Sequence, residues 1–323
     1  VPSKAWNSVA DLRFDGRVAV VTGAGRGLGR AYALMLAADG AKVVVNDSGG
    51  ALDGEGADTG PAQAVVDEIA SAGGEAVANT DSVATPEGGR AIIADAQQRF
   101  GGVDILIHNA GIVRRAPLAE MTYDDFEAVL DVHLRGAFHV VRPAFPSMCD
   151  AGYGRIVLTS SIGGLYGNHE VANYAVAKAG VIGLSHVAAM EGAAHDVKSN
   201  VIVPAAVTRM AAGIDTSAYP PMGPELVAPV VGYLAHETCS VTGEMFVALA
   251  GRVATAAVTE TRGVYRPSWT IADVAENIDA IRDRSESLTF PVVPNGHGDH
   301  IRYSFAMASQ AAAMSACAKS RSR

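Results

Sequence analysis

Charge is scarce in this 323-residue chain, and the little there is leans acidic: 18% of residues are charged and the net charge is −9. Without a basic excess there is no general attraction to nucleic acid or to an anionic membrane surface. Neither is an expected partner. Cysteine is rarer still. Cys149, Cys239 and Cys317 are an odd, widely spaced set with no C-x-x-C pair. That argues against a disulfide framework and fits a reducing, cytoplasmic compartment. No apolar run approaches the roughly 20 residues of a membrane span. The opening VPSKAWNSVADLRF has no apolar core of signal-peptide length. What the chain does have is 49% hydrophobic residues. That is enough for a substantial core in one large or two small domains, and it argues against disorder.

Short apolar runs alternate with longer, alanine-rich stretches. The runs Val18–Thr22, Lys42–Asn46, Glu75–Ala78, Ile105–His108, Arg155–Thr159, Lys198–Ile202 and Glu244–Val247 read as strands, several rich in Val and Ile. Gly60–Ala72, Pro86–Phe100, Tyr123–Phe145 and Ala172–His195 are long enough for helices. This alternation predicts an α/β fold: a doubly wound parallel sheet of about seven strands, Rossmann-type, with helices on both faces. It stops at Gly251. Residues 1–251 are therefore expected to form one α/β domain. Residues 252–323 are expected to form a partly helical extension packing on it or on a neighbouring subunit. Two loops interrupt the rhythm. Ser48 to Gly60 is glycine-rich and acidic, and Arg209 to Glu225, with three prolines, reads as a substrate lid.

The stretch VTGAGRGLGR follows the first strand and opens the first helix. Gly23 permits a tight turn. Gly27 and Gly29 allow backbone to approach phosphate and helix to approach strand, and the helix N-terminus around Leu28 offers free N–H donors to a pyrophosphate. About 20 residues on, Asp47 closes the second strand, placed to accept hydrogen bonds from an adenosine ribose. Its charge would repel a 2′-phosphate and favour NAD over NADP. Arg26 pulls the other way. Tyr174 and Lys178, four apart, are neighbours on one helix face. A nearby ammonium lowers a phenol's pKa, so the pair can move a proton on and off a substrate oxygen. Ser161, thirteen residues earlier, can hydrogen-bond the same oxygen.

Together these residues resemble the short-chain dehydrogenase/reductase family from about Phe14 to Gly251. The resemblance assigns Ser161, Tyr174 and Lys178 to the catalytic set. It makes Asp81, with Ser82, the residue that holds the adenine ring. Asn109, Ala110 and Gly111 match the segment after the fourth strand. Pro204 and Thr208 match the stretch that contacts the nicotinamide amide. One position departs: VHLRG carries His133 where the family has an Asn in its proton relay. With VVVNDSGG, TSSIGGLYGN, NYAVAKAG and LAHETCSVTGEMF, it makes the chain similar to the (3R)-hydroxyacyl-CoA dehydrogenase part of type 2 peroxisomal multifunctional enzymes. Those are also described as 17-beta-hydroxysteroid dehydrogenases. The resemblance implies an NAD-dependent oxidoreductase acting on a small-molecule substrate, a 3-hydroxyacyl-CoA thioester first and a steroid second. It also implies a homodimer or homotetramer, and a tail too short for hydratase or sterol-carrier parts. The rival class is a non-catalytic dinucleotide-sensing protein on the same fold. The intact triad argues against it.

Other features read more plainly. Arg114 and Arg115 follow the Asn-Ala-Gly segment, where they could meet coenzyme A phosphates or simply face solvent. His297 and His300 lie in a loop-like stretch without a further ligand cluster, so no metal is expected. Cys149 has no activating neighbour in sequence and reads as a packing residue. In the extension, Thr270 should cap a helix to Arg282 whose Val274, Ile278 and Ile281 share a face. That helix is expected to shape the pocket or to brace the fold.

Overall fold

A computed structural model describes residues 12–208 and 218–321, with side chains through residue 310. The N-terminal stretch, residues 209–217 of the expected lid, and the Cys317 side chain lie outside the described residues. The chain divides into two compact units, Val1–Thr255 and Ala256–Arg323.

In the first unit, strands and helices alternate as β1 (Val18–Thr22), α1 (Gly27–Ala38), β2 (Lys42–Asn46), α2 (Gly60–Ser71), β3 (Glu75–Asn79), α3 (Pro86–Phe100) and β4 (Ile105–His108). Then come α4 (Tyr123–Leu130), a π-helical turn (Asp131–Arg135), α5 (Gly136–Ala151), β5 (Gly154–Thr159), α6 (Ile162–Tyr166), α7 (Ala172–Gly192), β6 (Val197–Ala205), α8 (Ala228–Ala235), β7 (Met245–Leu249) and β8 (Arg252–Ala256). The sheet order is β3-β2-β1-β4-β5-β6-β7-β8. Strands β1 to β7 pair in parallel, for example Val20 with Val44 and with Leu106. The order reverses between β1 and β4, and crevices for ligands open at the strand C-termini there.

The central strands β1, β2 and β4 are largely apolar because both faces are covered. In β1, Ala19 and Val21 join a core with Tyr32, Leu36, Ile69 and Val231. Val18 and Val20, on the alternate side, join another with Ile92, Val140, Met148 and Val181. Helix boundaries follow local chemistry. Thr85 caps α3 by accepting from Gly88 N, Pro86 fills the first turn, and Gly101 ends it at φ +90°.

The sheet gains an eighth strand. Ala250 and Gly251 take φ of +49° and +78°, the two-residue turn that sends a chain back antiparallel. Residues 252–255 therefore complete the sheet; the sequence pattern had ended at Gly251. The helix expected over Tyr123–Phe145 is also different. It loosens into a π turn at Asp131–Arg135 and then runs on to Ala151 through Pro143 and Pro146. Pro143 has no N–H for the His139 carbonyl. That carbonyl lies against α3 at Gly89, where an added Cβ would sit 2.5 Å from it.

The second unit holds β9 (Glu260–Thr261), α9 (Ile271–Glu276), α10 (Ile278–Ile281), β10 (Ser287–Leu288) and α11 (Gly296–Arg321). Thr270 and Asp273 form a full capping box. The single helix expected to Arg282 breaks at Asn277, whose side chain takes the Asp273 carbonyl at 2.8 Å and competes with the helical ladder. Val274 and Ile278 are exposed. The HGDH stretch, expected as a loop, is helical. Asn295 starts the helix by accepting from Gly298 N. His300 there meets the Glu260 carboxylate at 3.1 Å. Among the described residues there is no cluster of three or more potential metal ligands, and no helix long and apolar enough to cross a membrane.

Candidate active site

The C-terminal ends of β1, β2, β4, β5 and β6 open on one cleft of about 530 Å³. Gly23, Arg26, Gly27, Leu28, Asp47, Asp81, Ser82, Asn109, Ala110, Gly111, His133, Tyr174, Lys178, Pro204 and Thr208 all line it. Gly29 and Ser161 do not. A Cβ on Gly29 would fall 2.2 Å from the Gly23 carbonyl, so this residue packs α1 onto the turn.

The turn is held from across the sheet. Gly23, at φ +63°, passes so close to Ala110 that a Cβ would lie 2.7 Å from its Cα. Asn109 Nδ2 donates to the Gly23 carbonyl at 3.1 Å. The Asn109 and Ala110 amides donate to Thr22 Oγ1. Arg30 N reaches back to the Arg26 carbonyl, so the amides of Gly27, Leu28 and Gly29 have no intrahelical acceptor, as at any helix start. Arg26 Nη1 is buried with no partner among the described residues. Free amides and an orphaned buried guanidinium suit a dinucleotide's phosphates. Asp47 accepts from Gly25 N at 2.9 Å and Gly49 N at 2.8 Å. One Asp81 oxygen accepts from Asn79 Nδ2 at 2.9 Å. The Asp81 carbonyl accepts from Asn46 Nδ2 at 2.9 Å.

In the catalytic half, Ser161 follows β5 and caps α6 by accepting from Gly163 N at 3.1 Å. Lys178 is buried, and its Nζ donates to the Thr159 carbonyl at 2.6 Å. Ser160 Oγ donates back to the Lys178 carbonyl at 2.6 Å, fastening α7 to β5. Burial brings the Lys178 ammonium down to a pKa of about 7. Burial also holds the Tyr174 phenol above its ordinary range, with the Ser161 hydroxyl and the Arg115 charge drawing it down. This corrects the expectation that Lys178 sets a low phenol pKa. In the chain as it stands, desolvation wins.

His133 sits on the π turn with its ring edge-on to Tyr174, centroids 5.1 Å apart. Its Nε2 lies 2.8 Å from the Ile112 carbonyl and 3.1 Å from the Ile112 amide. Nδ1 is buried without a partner among the described residues. Burial, then the Lys178 charge, lowers its pKa well below the imidazole range, so the ring is neutral. Gly111 makes room for it: a Cβ there would meet His133 Cε1 at 2.3 Å.

Two positioning residues escaped the sequence reading. His108 Nε2 donates to the His133 carbonyl at 3.2 Å, and its Nδ1 accepts from Thr22 Oγ1 at 3.0 Å, tying the π turn to the glycine turn. Asn173 accepts from Tyr174 N at 2.7 Å and donates to the Arg114 and Asp125 carbonyls. Arg114 is not free to meet a coenzyme A phosphate. It is engaged with Glu55 at 3.0 Å and Asp125 at 3.2 Å. The available signal was adjacency: His108 precedes Asn109, and Asn173 precedes Tyr174.

A parallel sheet with a phosphate turn at its switch point, and a Tyr–Lys pair across the same cleft, defines a dinucleotide-dependent oxidoreductase. Residues 17–217 match the short chain dehydrogenase family, and the chain belongs to it. Peroxisomal multifunctional enzyme type 2 of Drosophila melanogaster is 47% identical over 285 residues, covering 88% of this chain and 47% of that protein. The chain thus spans about half its length. Its full-length structure matches with TM-score 0.74 at 39% identity, covering 90% of this chain and 50% of that one. A short-chain type dehydrogenase/reductase of Mycobacterium tuberculosis is 45% identical over 83% of this chain and 95% of its own. A hydroxyacyl-CoA dehydrogenase of the same organism is 38% identical over 83% and 88%.

Proposed function

We propose that this oxidoreductase interconverts 3-hydroxyacyl-CoA and 3-oxoacyl-CoA thioesters with NAD. The observation that carries the reading is the joining of the glycine turn, Asp47, Tyr174, Lys178 and His133 around one cleft, with the Ser161 hydroxyl bonded to Tyr174. Two relatives, a hydroxyacyl-CoA dehydrogenase and a multifunctional enzyme of peroxisomes, support the substrate class. Bound nicotinamide supplies the hydride acceptor. The chain's own residues handle the proton. Tyr174, a protonated phenol, gives its proton to the ketone oxygen in reduction; in oxidation it first passes that proton on through Lys178 and then takes the one from the substrate hydroxyl, while Ser161 holds the same oxygen. Lys178 stands behind Tyr174 with a pKa suited to exchange near neutrality. The unpartnered Nδ1 of His133 holds a relay water, in place of the family's Asn. Hydroxysteroids are the second substrate class. A reducing compartment such as the cytosol suits the sparse cysteines.

One panel tests the substrate and cofactor. NADH formation is expected with 3-hydroxyacyl-CoA thioesters, well above that with free hydroxysteroids; the reverse order would make steroids the substrate. NAD should exceed NADP in kcat/KM by roughly 10–100-fold, because the Asp47 carboxylate repels a 2′-phosphate. Asp47→Asn keeps a backbone acceptor and removes the charge, so it should narrow the gap about tenfold. Equal use of both cofactors by the unaltered chain would mean that Arg26 outweighs Asp47.

The chain is further proposed to work as a homodimer or homotetramer, through the helices around residues 125–138 and 172–195. Phe138, Val176, Val187 and Met190 there are apolar and 40–52% exposed. Light scattering at micromolar concentration should give a multiple of 33.2 kDa. The monomer mass would refute it.

A further inference from the structure

The acidic, glycine-rich loop between β2 and α2 is ordered by its own backbone. Asp58 N donates to Ser48 O at 3.0 Å, Ala51 N to Glu55 O at 2.8 Å, and Gly54 N to Ala51 O at 3.2 Å. Gly49, at φ +74°, runs so close to Asp58 that a Cβ would sit 1.8 Å from its carbonyl oxygen. The loop is rooted at Asp47, which accepts from Gly49 N. Gly50, Ala51, Leu52 and Gly54 line the cleft.

Its far side is fastened to the segment after β4. Val113 N donates to Leu52 O at 3.1 Å. Arg114 Nε donates to Asp53 O at 2.9 Å, and Arg114 Nη2 meets Glu55 Oε1 at 3.0 Å. The Ile112 side chain fills the space beside Gly54. Strands β2 and β4 flank β1 on opposite sides. A loop rooted at the end of one and fastened to the end of the other spans the end of β1, where the glycine turn begins. The same guanidinium reaches Asp125 through Nη1, and the Arg114 carbonyl is held by Asn173, next to Tyr174.

We propose that residues 48–59 are a strap across the dinucleotide and that Arg114 is its catch. The cofactor enters and leaves when Arg114 releases Asp53 and Glu55, so Arg114 sets the rate of cofactor exchange. The inference rests on the reading of the cleft as a dinucleotide site. The catch is built to open. Glu55 is 75% exposed, and an ion pair in water holds weakly and is screened by salt.

Stopped-flow fluorescence of NADH dissociation from the full chain tests this. Arg114→Met should raise the off-rate at least about tenfold. Glu55→Gln changes only an exposed side chain and leaves the fold intact. It should raise the off-rate about two- to fivefold. Added salt should speed release from the unaltered chain and have less effect on Glu55→Gln, a difference that a purely structural role would not produce. NADH binding with off-rates unchanged in both variants would overturn the strap alone. Failure of the unaltered chain to bind NADH or NADPH would overturn the dinucleotide reading, and the strap with it.

Discussion

Tyr174→Phe is expected to lower kcat by about 10²–10⁴-fold while leaving cofactor affinity within a few-fold of normal. The ring is the part that packs. It stands edge-on to His133 and over one face of α7, and both contacts survive in Phe. The hydroxyl is the part that reacts, and nothing else in the cleft replaces it. Ser161 is a hydroxyl of higher pKa engaged with Gly163 N, and Lys178 points its Nζ at the Thr159 carbonyl. A loss of proton transfer should appear in kcat and kcat/KM together. Cofactor titration by fluorescence should be nearly unchanged. Near-normal kcat would refute the assignment of Tyr174, whatever the substrate.

Lys178→Met should cost a similar factor in turnover and yet make the protein more stable at neutral pH. Lys178 is buried, and its pKa falls from 10.5 to about 7. Between those values the unfolded chain holds a proton that the folded chain has lost, so stability rises with pH across the window. At and below pH 7 the folded protein carries the whole desolvation penalty, relieved in part by the Thr159 carbonyl. Above pH 7 the penalty shrinks as the folded lysine gives up its proton. Met fills similar volume without a charge. The variant should therefore melt higher than the unaltered protein near pH 6.5–7, by roughly 2–4 °C for each kcal/mol relieved. The gap should close as pH approaches 10. Thermal unfolding across pH 6–10 reads this directly. A variant less stable at pH 7, or a gap that widens with pH, would show that the ammonium is not held at a cost.

Much of this was legible before any coordinates. The core strands are continuous Val/Ile runs because both sheet faces are covered, and such runs stand out between helical segments. The cleft's glycines, Asp47, and the Tyr174–Lys178 pair are local patterns: a turn, a strand end, one turn of helix. Local spacing carries them. Where local signals misled, a competing interaction had taken over. Asn277 broke a helix by taking a carbonyl. Gly251 looked like an end and was half of a hairpin turn. The helix expected to end at Phe145 runs on to Ala151 because the side of α5 around His139 is packed against α3.

The sequence by itself determined the doubly wound class and made the glycine turn and the Tyr174–Lys178 pair visible, because each depends on residues within a few positions of one another. Only the tertiary structure decided the state of those residues. Whether Tyr174 sits above or below its ordinary pKa depends on how much water its surroundings exclude, and that is a property of the packed cleft. That His133 leaves Nδ1 unpartnered depends on Nε2 being taken up by Ile112, in the segment after β4 and 21 residues away in sequence. That Arg114 holds a loop about 60 residues before it depends on β2 and β4 flanking β1. Such long-range pairings are set by which strand lies beside which, and no short motif records that.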